Sequence, residues 1–173
     1  MIPLGHLNGD NAGGVTFNNI PSNFSHLQIR CFQRGTRSFN AEQLYIRFNG
    51  DGGNTYSYHY FYTPGSGVSA FGIGNTNVIF VGEFPAALES ANIYSVAIVD
   101  IFDYSNTTKA KTLKSIHGYD NNNGTRNQNA WLGSGTWNNL AAINSITILS
   151  NGPFSSDSRF SLYGIPNAIA TGA

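Results

Sequence analysis

The sequence predicts an all-β protein, an antiparallel β-sandwich of jelly-roll-like form with eight or more strands, in which the first and last strands pair. Three observations predict this fold class. Short segments alternate apolar and polar residues, as half-buried strands do. Clusters of Asn and Gly, which favour turns, separate these segments at roughly ten- to fifteen-residue spacings, as in sandwiches and barrels. Almost no segment has helical periodicity.

The first half of the chain contributes four candidate strands, at residues 15–17, 24–32, 44–48 and 56–62. The second candidate shows the pattern well, because Leu27, Ile29 and Cys31 share one face and polar residues occupy the other. A dense group of Asn, Gly and Asp at 49–54 follows the third candidate. This group predicts a hairpin with a longer loop between the third and fourth strands.

The second half begins with a glycine-rich segment at 65–77, which we predict to be irregular. The longest apolar run, at 93–102, is interrupted by Ser95 and Asp100 and predicts a central strand. A single helical turn is expected at 84–90, a polar loop at 120–129 and a turn at 135–138. The remaining candidate strands lie at 78–81, 112–116, 143–149 and 159–165.

A length of 173 residues fits one domain with a sizeable core, which we assign to residues 1–173. Within it we predict an N-terminal arm at 1–14 and an extended C-terminal tail at 166–173. Charged residues make up only 10% of the chain and aromatic ones 13%, a balance that excludes a disordered chain. So little charge also favours a surface covered by neighbouring subunits.

The composition argues against nucleic-acid and membrane partners. The formal net charge is zero, and the densest basic cluster, Lys109, Lys111 and Lys114, is typical of a solvated loop or edge strand. No apolar stretch approaches the length that spans a bilayer. Residues 1–6 lack the features of a secretory signal, so we expect the protein to be made and assembled in a cytoplasm.

The sequence predicts no enzyme, no metal site and no cofactor. The four histidines, His6, His26, His59 and His117, are isolated from one another, whereas a zinc site needs converging ligands. Acidic turns at 50–52 and 120–124 lack the full spacing of a calcium loop. No pattern of a nucleophile with its base is present, and the pair Asp100 and Asp103 is typical of a strand end. Cys31 is expected to be a small buried apolar residue.

Two aromatic groups are the candidate contacts for a partner or glycan. Tyr56, Tyr58, Tyr60 and Tyr62 are predicted to share one strand face, which forms either a platform for a sugar or partner, or one wall of the core or a subunit contact. Trp131 and Trp137 flank a glycine-rich segment that we expect to be a loop. They form either a sugar-stacking rim or caps on the open end of the sandwich.

Five segments occur in an order that resembles a β-sandwich module widespread in virion proteins of tailed bacteriophages. The resemblance spans nearly the whole chain and departs from the common pattern at 63–77. Its segments are FNNIPSNFSHLQIR (17–30), RFNGD with YSYH (47–51 and 56–59), IFDYSNTTKAKT (101–112), GTWN with AINSI (135–138 and 142–146), and SRFSLYGI (158–165).

The resemblance implies a virion structural protein without catalytic residues. The first expectation is a capsid decoration or cement protein, a homo-oligomer that contacts the major capsid protein or other virion proteins through 1–14 and 166–173. The alternative is a tail fibre or tail-tip adhesin domain that binds a host surface glycan or receptor. A third class, a free lectin or hydrolase of cellular origin, stays open. Either phage role places the protein in the virion, assembled in the host cytoplasm.

Overall fold

The structure, a computed structural model, describes residues 1–63, 67–121 and 129–166. Within these residues the chain is all-β and forms twelve strands in two antiparallel sheets, with no helix, which confirms the predicted β-sandwich. The strands are β1 (Ile2–Asn8), β2 (Gly14–Phe17), β3 (His26–Gln33), β4 (Ala41–Phe48), β5 (Tyr56–Tyr62), β6 (Ser69–Thr76), β7 (Ile79–Pro85), β8 (Ser95–Phe102), β9 (Lys111–Tyr119), β10 (Asn129–Trp137), β11 (Ile146–Ser150) and β12 (Arg159–Ile165).

The two sheets differ in width. The large sheet has eight strands in the order β1-β12-β3-β8-β9-β10-β5-β6, and the small sheet has four in the order β2-β11-β4-β7. The first and last strands, β1 and β12, pair antiparallel as predicted. The core lies between the sheets and consists of the inward residues of both, such as Leu27 and Ile29 from β3 and Leu44 and Ile46 from β4.

The N-terminal segment differs from the predicted arm. Ile2–Asn8 forms β1, an edge strand of the large sheet, and its Leu4 and Leu7 pack against the core. Pro3 and Gly5 weaken the apolar alternation, and the register shifts between them, so the segment carries a poor strand pattern. Its pairing with β12 joins opposite ends of the sequence. Residues 2–8 therefore belong to the sandwich and are not free to clasp a neighbour.

Three further predictions were wrong. Residues 69–76 form β6 although the segment is rich in glycine, and β7 continues through Pro85 where a helical turn was expected. The segment between Trp131 and Trp137 is not a loop, because it lies within β10. Its glycine at 135 allows a close approach: a Cβ there would lie 2.5 Å from Cγ2 of Ile79 on the facing sheet.

The prediction that Lys111 lies in a solvated loop or edge strand was also wrong, because this residue is fully buried. It begins β9, a central strand, and its Nζ donates hydrogen bonds to the carbonyl oxygens of Lys109 (2.7 Å) and Leu140 (3.3 Å). Burial lowers the pKa of this amine. The predicted tail beyond residue 166 and most of the predicted loop at 120–129 lie outside the described residues.

A hydrogen-bonded aromatic cluster fastens the turn between β4 and β5. The buried rings of Tyr56 and Trp137 are cross-strand neighbours and stack 6.3 Å apart. Trp137 Nε1 donates to Asp51 Oδ2 (2.8 Å), which also accepts from Thr55 Oγ1 (2.9 Å). These donors, Trp137 foremost, lower the pKa of the Asp51 carboxyl. The carboxylate, considered above as a calcium ligand, is thus used to hold the turn.

The hydroxyl of Tyr56 completes this cluster. It accepts a hydrogen bond from the Phe48 amide (3.1 Å) and can donate to the carbonyl oxygen of Phe48 (3.2 Å) or of Asp51 (3.1 Å). Because the hydroxyl is buried with its backbone partners, its removal leaves polar groups unpaired.

We expect Tyr56→Phe to lower the free energy of unfolding by about 1–3 kcal/mol, because the Phe48 amide loses its partner. Urea denaturation measures this change. Tyr163→Phe, on the outward side of β12, is the matched control and should change stability by less than about 0.5 kcal/mol. Equal losses in the two variants would contradict the role given to the Tyr56 hydroxyl.

Candidate functional site

The outer face of the large sheet carries a row of exposed apolar side chains. Ile98, Ile116, Leu132 and Phe61 lie directly opposite one another on the four adjacent strands β8, β9, β10 and β5. Their exposed fractions are 41%, 56%, 50% and 58%. We call these four residues the apolar row.

The apolar row arises because its strands are apolar at positions on both faces. In β8, for example, Val99 and Ile101 are buried in the core, while Val96 and Ile98 point outward. An outer sheet face in contact with water is ordinarily polar. A contiguous exposed apolar patch of this kind is typical of an interaction surface.

A polar row runs beside the apolar row. Gln28 Nε2 donates to Asp100 Oδ1 (2.8 Å), and Lys114 Nζ lies 3.6 Å from Asp100 Oδ2. Between Lys114, Leu132 and Phe61 the face has a shallow concavity of about 520 Å³. The face therefore combines apolar area with a neutralised charge pair, and it has relief into which a partner's side chains can fit.

The four tyrosines that were predicted to share one strand face all lie on the inward face of β5, but their environments differ. Tyr56 is buried in the core, whereas Tyr58, Tyr60 and Tyr62 are half-buried near the edge of the sandwich. The Tyr60 ring packs against Phe80 of β7 at a centroid distance of 4.8 Å. Tyr56 is thus part of the core and Tyr58 packs against it, while Tyr58 also lines a surface groove.

The two predicted tryptophans are both buried, with exposed fractions of 4% for Trp131 and 1% for Trp137. Trp131 stacks on Tyr62 (6.4 Å between centroids), and Trp137 belongs to the cluster around Asp51. Neither ring offers an exposed face for stacking against a sugar. Both residues lie within strand β10, because the segment between them, which was predicted to be a loop, is part of that strand.

A polar and aromatic groove of about 490 Å³ lies on the outer side of the small sheet. Tyr45 and Arg47 enter it from β4, Asn151 from the end of β11, and Asn77 from the turn between β6 and β7. In the sequence, Tyr45 and Arg47 are two residues of the candidate strand at 44–48 and were not among the candidate contacts. Asn77 and Asn151 lie beside them only because strands far apart in the sequence pair in the sheet, and no local sequence pattern predicts that pairing.

A buried polar group lies at one end of the core. His117 is 2% exposed, and its Nε2 lies 3.1 Å from Nε2 of the buried Gln33. Since the amide nitrogen donates, the ring accepts at Nε2 and carries its proton on Nδ1. In the described part of the chain, His117 Nδ1, Gln33 Oε1 and Ser115 Oγ have no hydrogen-bond partner. Burial lowers the pKa of His117 to about 3.

This histidine makes the fold sensitive to acid. Between pH 6.5, the ordinary pKa, and about 3, the unfolded chain binds one proton that the folded chain excludes. Stability therefore falls as the pH is lowered through this window, by up to about 1.4 kcal/mol per pH unit from this group.

We expect His117→Gln to flatten the pH dependence of the free energy of unfolding in that window, because glutamine does not titrate. Urea denaturation at several pH values in the window compares the slopes of variant and parent. His6→Gln, on the exposed edge strand β1, is the control and should keep the parent slope. An unchanged slope in His117→Gln would contradict the role of this histidine.

Among the described residues, no group of three or more His, Cys, Asp or Glu side chains is placed to hold a metal ion. Cys31 is buried, as predicted, and burial raises its pKa to about 12. Asp103, which was considered above together with Asp100, forms an ion pair with Lys109, and its Oδ2 lies 3.1 Å from the Lys109 Nζ. In the part of the chain that is described, no helix is long and apolar enough to cross a membrane.

Comparisons with known proteins add little to these observations. No family model matches the sequence, and no curated protein matches it. One solved structure with some likeness is arcelin-5, a lectin-like defence protein from Phaseolus vulgaris. It has 9% sequence identity and a TM-score of 0.18, over 87% of this chain and 76% of that chain. These values support no argument about function.

Proposed function

We propose that the protein is a non-enzymatic structural protein of a tailed-bacteriophage virion, a capsid decoration protein that binds neighbouring shell subunits. The observation that carries this proposal is the apolar row on the outer face of the large sheet. The order of the five sequence segments that resemble the phage module supports the virion as the setting.

The size of the face suits such a role. Six adjacent strands, from β3 to β6, span about 24 Å, and the three or four outward positions along each strand span up to about 20 Å, so the face offers up to about 500 Å². One contact of this area is at the low end of specific protein interfaces. Repetition of the same contact by a homo-oligomer raises the overall affinity without further contacts.

The charge of the protein favours burial of this face. The formal net charge is zero, and the charge on Asp100 is neutralised by Lys114 within the face itself. None of the four residues of the apolar row is charged, so a partner covers the row without burying an unpaired charge in it, which is a large cost at many interfaces. Arg30, opposite Ile98 on β3, lies at the end of the row. The partner proposed here is the major capsid protein or another virion protein.

We expect the double variant Ile116→Lys and Leu132→Lys to lose binding to virus particles by at least about tenfold, because two charges then lie in the apolar row. Both side chains are at least half exposed, so the sandwich should stay folded, with each change costing less than about 1 kcal/mol. Sedimentation of the purified variant with particles that lack the protein measures binding.

Leu88→Lys is the matched control, because Leu88 is 65% exposed but lies in the turn after β7, away from the row. It should bind particles as the parent does. Normal binding of the double variant would overturn the proposed surface. Immunolabelling that places the protein only at the tail would favour the adhesin alternative, which also predicts binding of the isolated protein to host cells.

A further inference from the structure

The groove on the small sheet has side chains that are fixed in place before any ligand arrives. Gln43 Oε1 accepts hydrogen bonds from the Tyr45 hydroxyl and from Asn151 Nδ2, the latter at 3.1 Å. A single amide thus orients two side chains that line the groove. Such preorganisation lowers the entropy cost of ligand binding.

The guanidinium group of Arg47 is hydrogen-bonded through only one of its three nitrogens among the described residues. Its Nε donates to the Asn77 carbonyl oxygen (3.2 Å), which fixes the plane of the guanidinium. Its two Nη nitrogens have no hydrogen-bond partner among the described residues, so this edge of the fork is available to a ligand. A guanidinium edge matches the two oxygens of a carboxylate.

The rest of the lining has the chemistry that recognises a sugar. Tyr45 and Tyr58 supply aromatic surface, and Leu149 supplies apolar surface beside them. Asn77, Asn151 and Ser150 supply donors and acceptors that match hydroxyl groups. The volume of about 490 Å³ is within the ordinary range for small-molecule sites.

We propose that this groove binds an acidic saccharide, with the sugar carboxylate on the Arg47 guanidinium and the sugar ring against Tyr45 and Tyr58. Among the described residues that line the groove, Arg47 alone carries a formal charge. Glu83 lies outside this lining, opposite Gln43 on β7, so the preference for an anionic over a neutral sugar depends on direct contact with the Arg47 guanidinium. The groove and the apolar row lie on opposite faces of the sandwich. The inference is therefore independent of the proposed virion role, and both surfaces can be occupied at once.

The test compares each acidic sugar with its own methyl ester, which keeps the size and hydroxyl groups but removes the charge. Digalacturonate, methyl glucuronide and N-acetylneuraminate are titrated to about 10 mM, a range that detects weak single-site binding. Backbone amide shifts in the NMR spectrum report where each compound binds. We expect at least one acid to shift residues 45–47, 77 and 149–151, and its ester to bind at least about tenfold more weakly.

Arg47→Gln should remove the preference for the acid, and Arg47→Lys should keep part of it, because a lysine retains the charge but not the fork. Arg159→Gln, on β12 of the large sheet, is the matched control and should bind as the parent does. The amide spectrum of each variant shows directly whether it is folded.

Three outcomes would overturn the proposal. The first is that none of the acids binds, and the second is that the acids bind elsewhere on the protein. The third is that each ester binds as well as its acid, since this would leave a site for neutral sugars without a role for Arg47. Failure here would not affect the particle-binding result, which depends on the other face.

Discussion

The structure depends on the burial of an eight-stranded sheet by a partner sheet only four strands wide. Both sheets contribute inward residues to the core, but the small sheet cannot cover the whole inward face of the large sheet. At one end, β5 and β6 extend past β7, the edge of the small sheet. This difference in width accounts for the half-buried Tyr58, Tyr60 and Tyr62 on β5 and for the exposed Phe71 and Ile73 on β6.

The same overhang creates the groove. Where the large sheet continues past the edge of the small one, Tyr58 reaches from β5 towards the outward residues of β4. The turn between β6 and β7 returns across this edge and brings Asn77 beside Arg47. The groove is therefore a product of sheet geometry, and its polar residues come from segments far apart in the sequence.

The sequence predicted the fold class and the strands with clean alternation, such as β3, β4 and β12, because these bury one face and expose the other. It did not predict β1, β6 or β10, in which proline or glycine interrupts the pattern while the strand is stabilised by its neighbours. Buried Lys111 and His117 were missed for a related reason. Their partners, Leu140 and Gln33, are 29 and 84 residues away.

The candidate site was predictable only in part. The tyrosine face of β5 followed from alternation, and one of its residues, Tyr58, lines the groove. The apolar row needed the register of four strands, since each outward Ile, Leu or Phe alone is ordinary on a protein surface. Arg47 gave no signal of its own, because its setting is made by Asn77 and Asn151.

The position of the apolar row limits how association can proceed. The row consists of side chains on the outer face of the sheet. The backbone hydrogen bonds of its central strands are already made with the neighbouring strands. The opposite face of that sheet is buried in the core. A molecule bound through the apolar row therefore exposes no second apolar row to which a further copy could bind. An exposed strand edge, by contrast, presents a fresh edge after each addition and promotes open-ended fibres. On the proposed function, binding through this face therefore saturates after one layer.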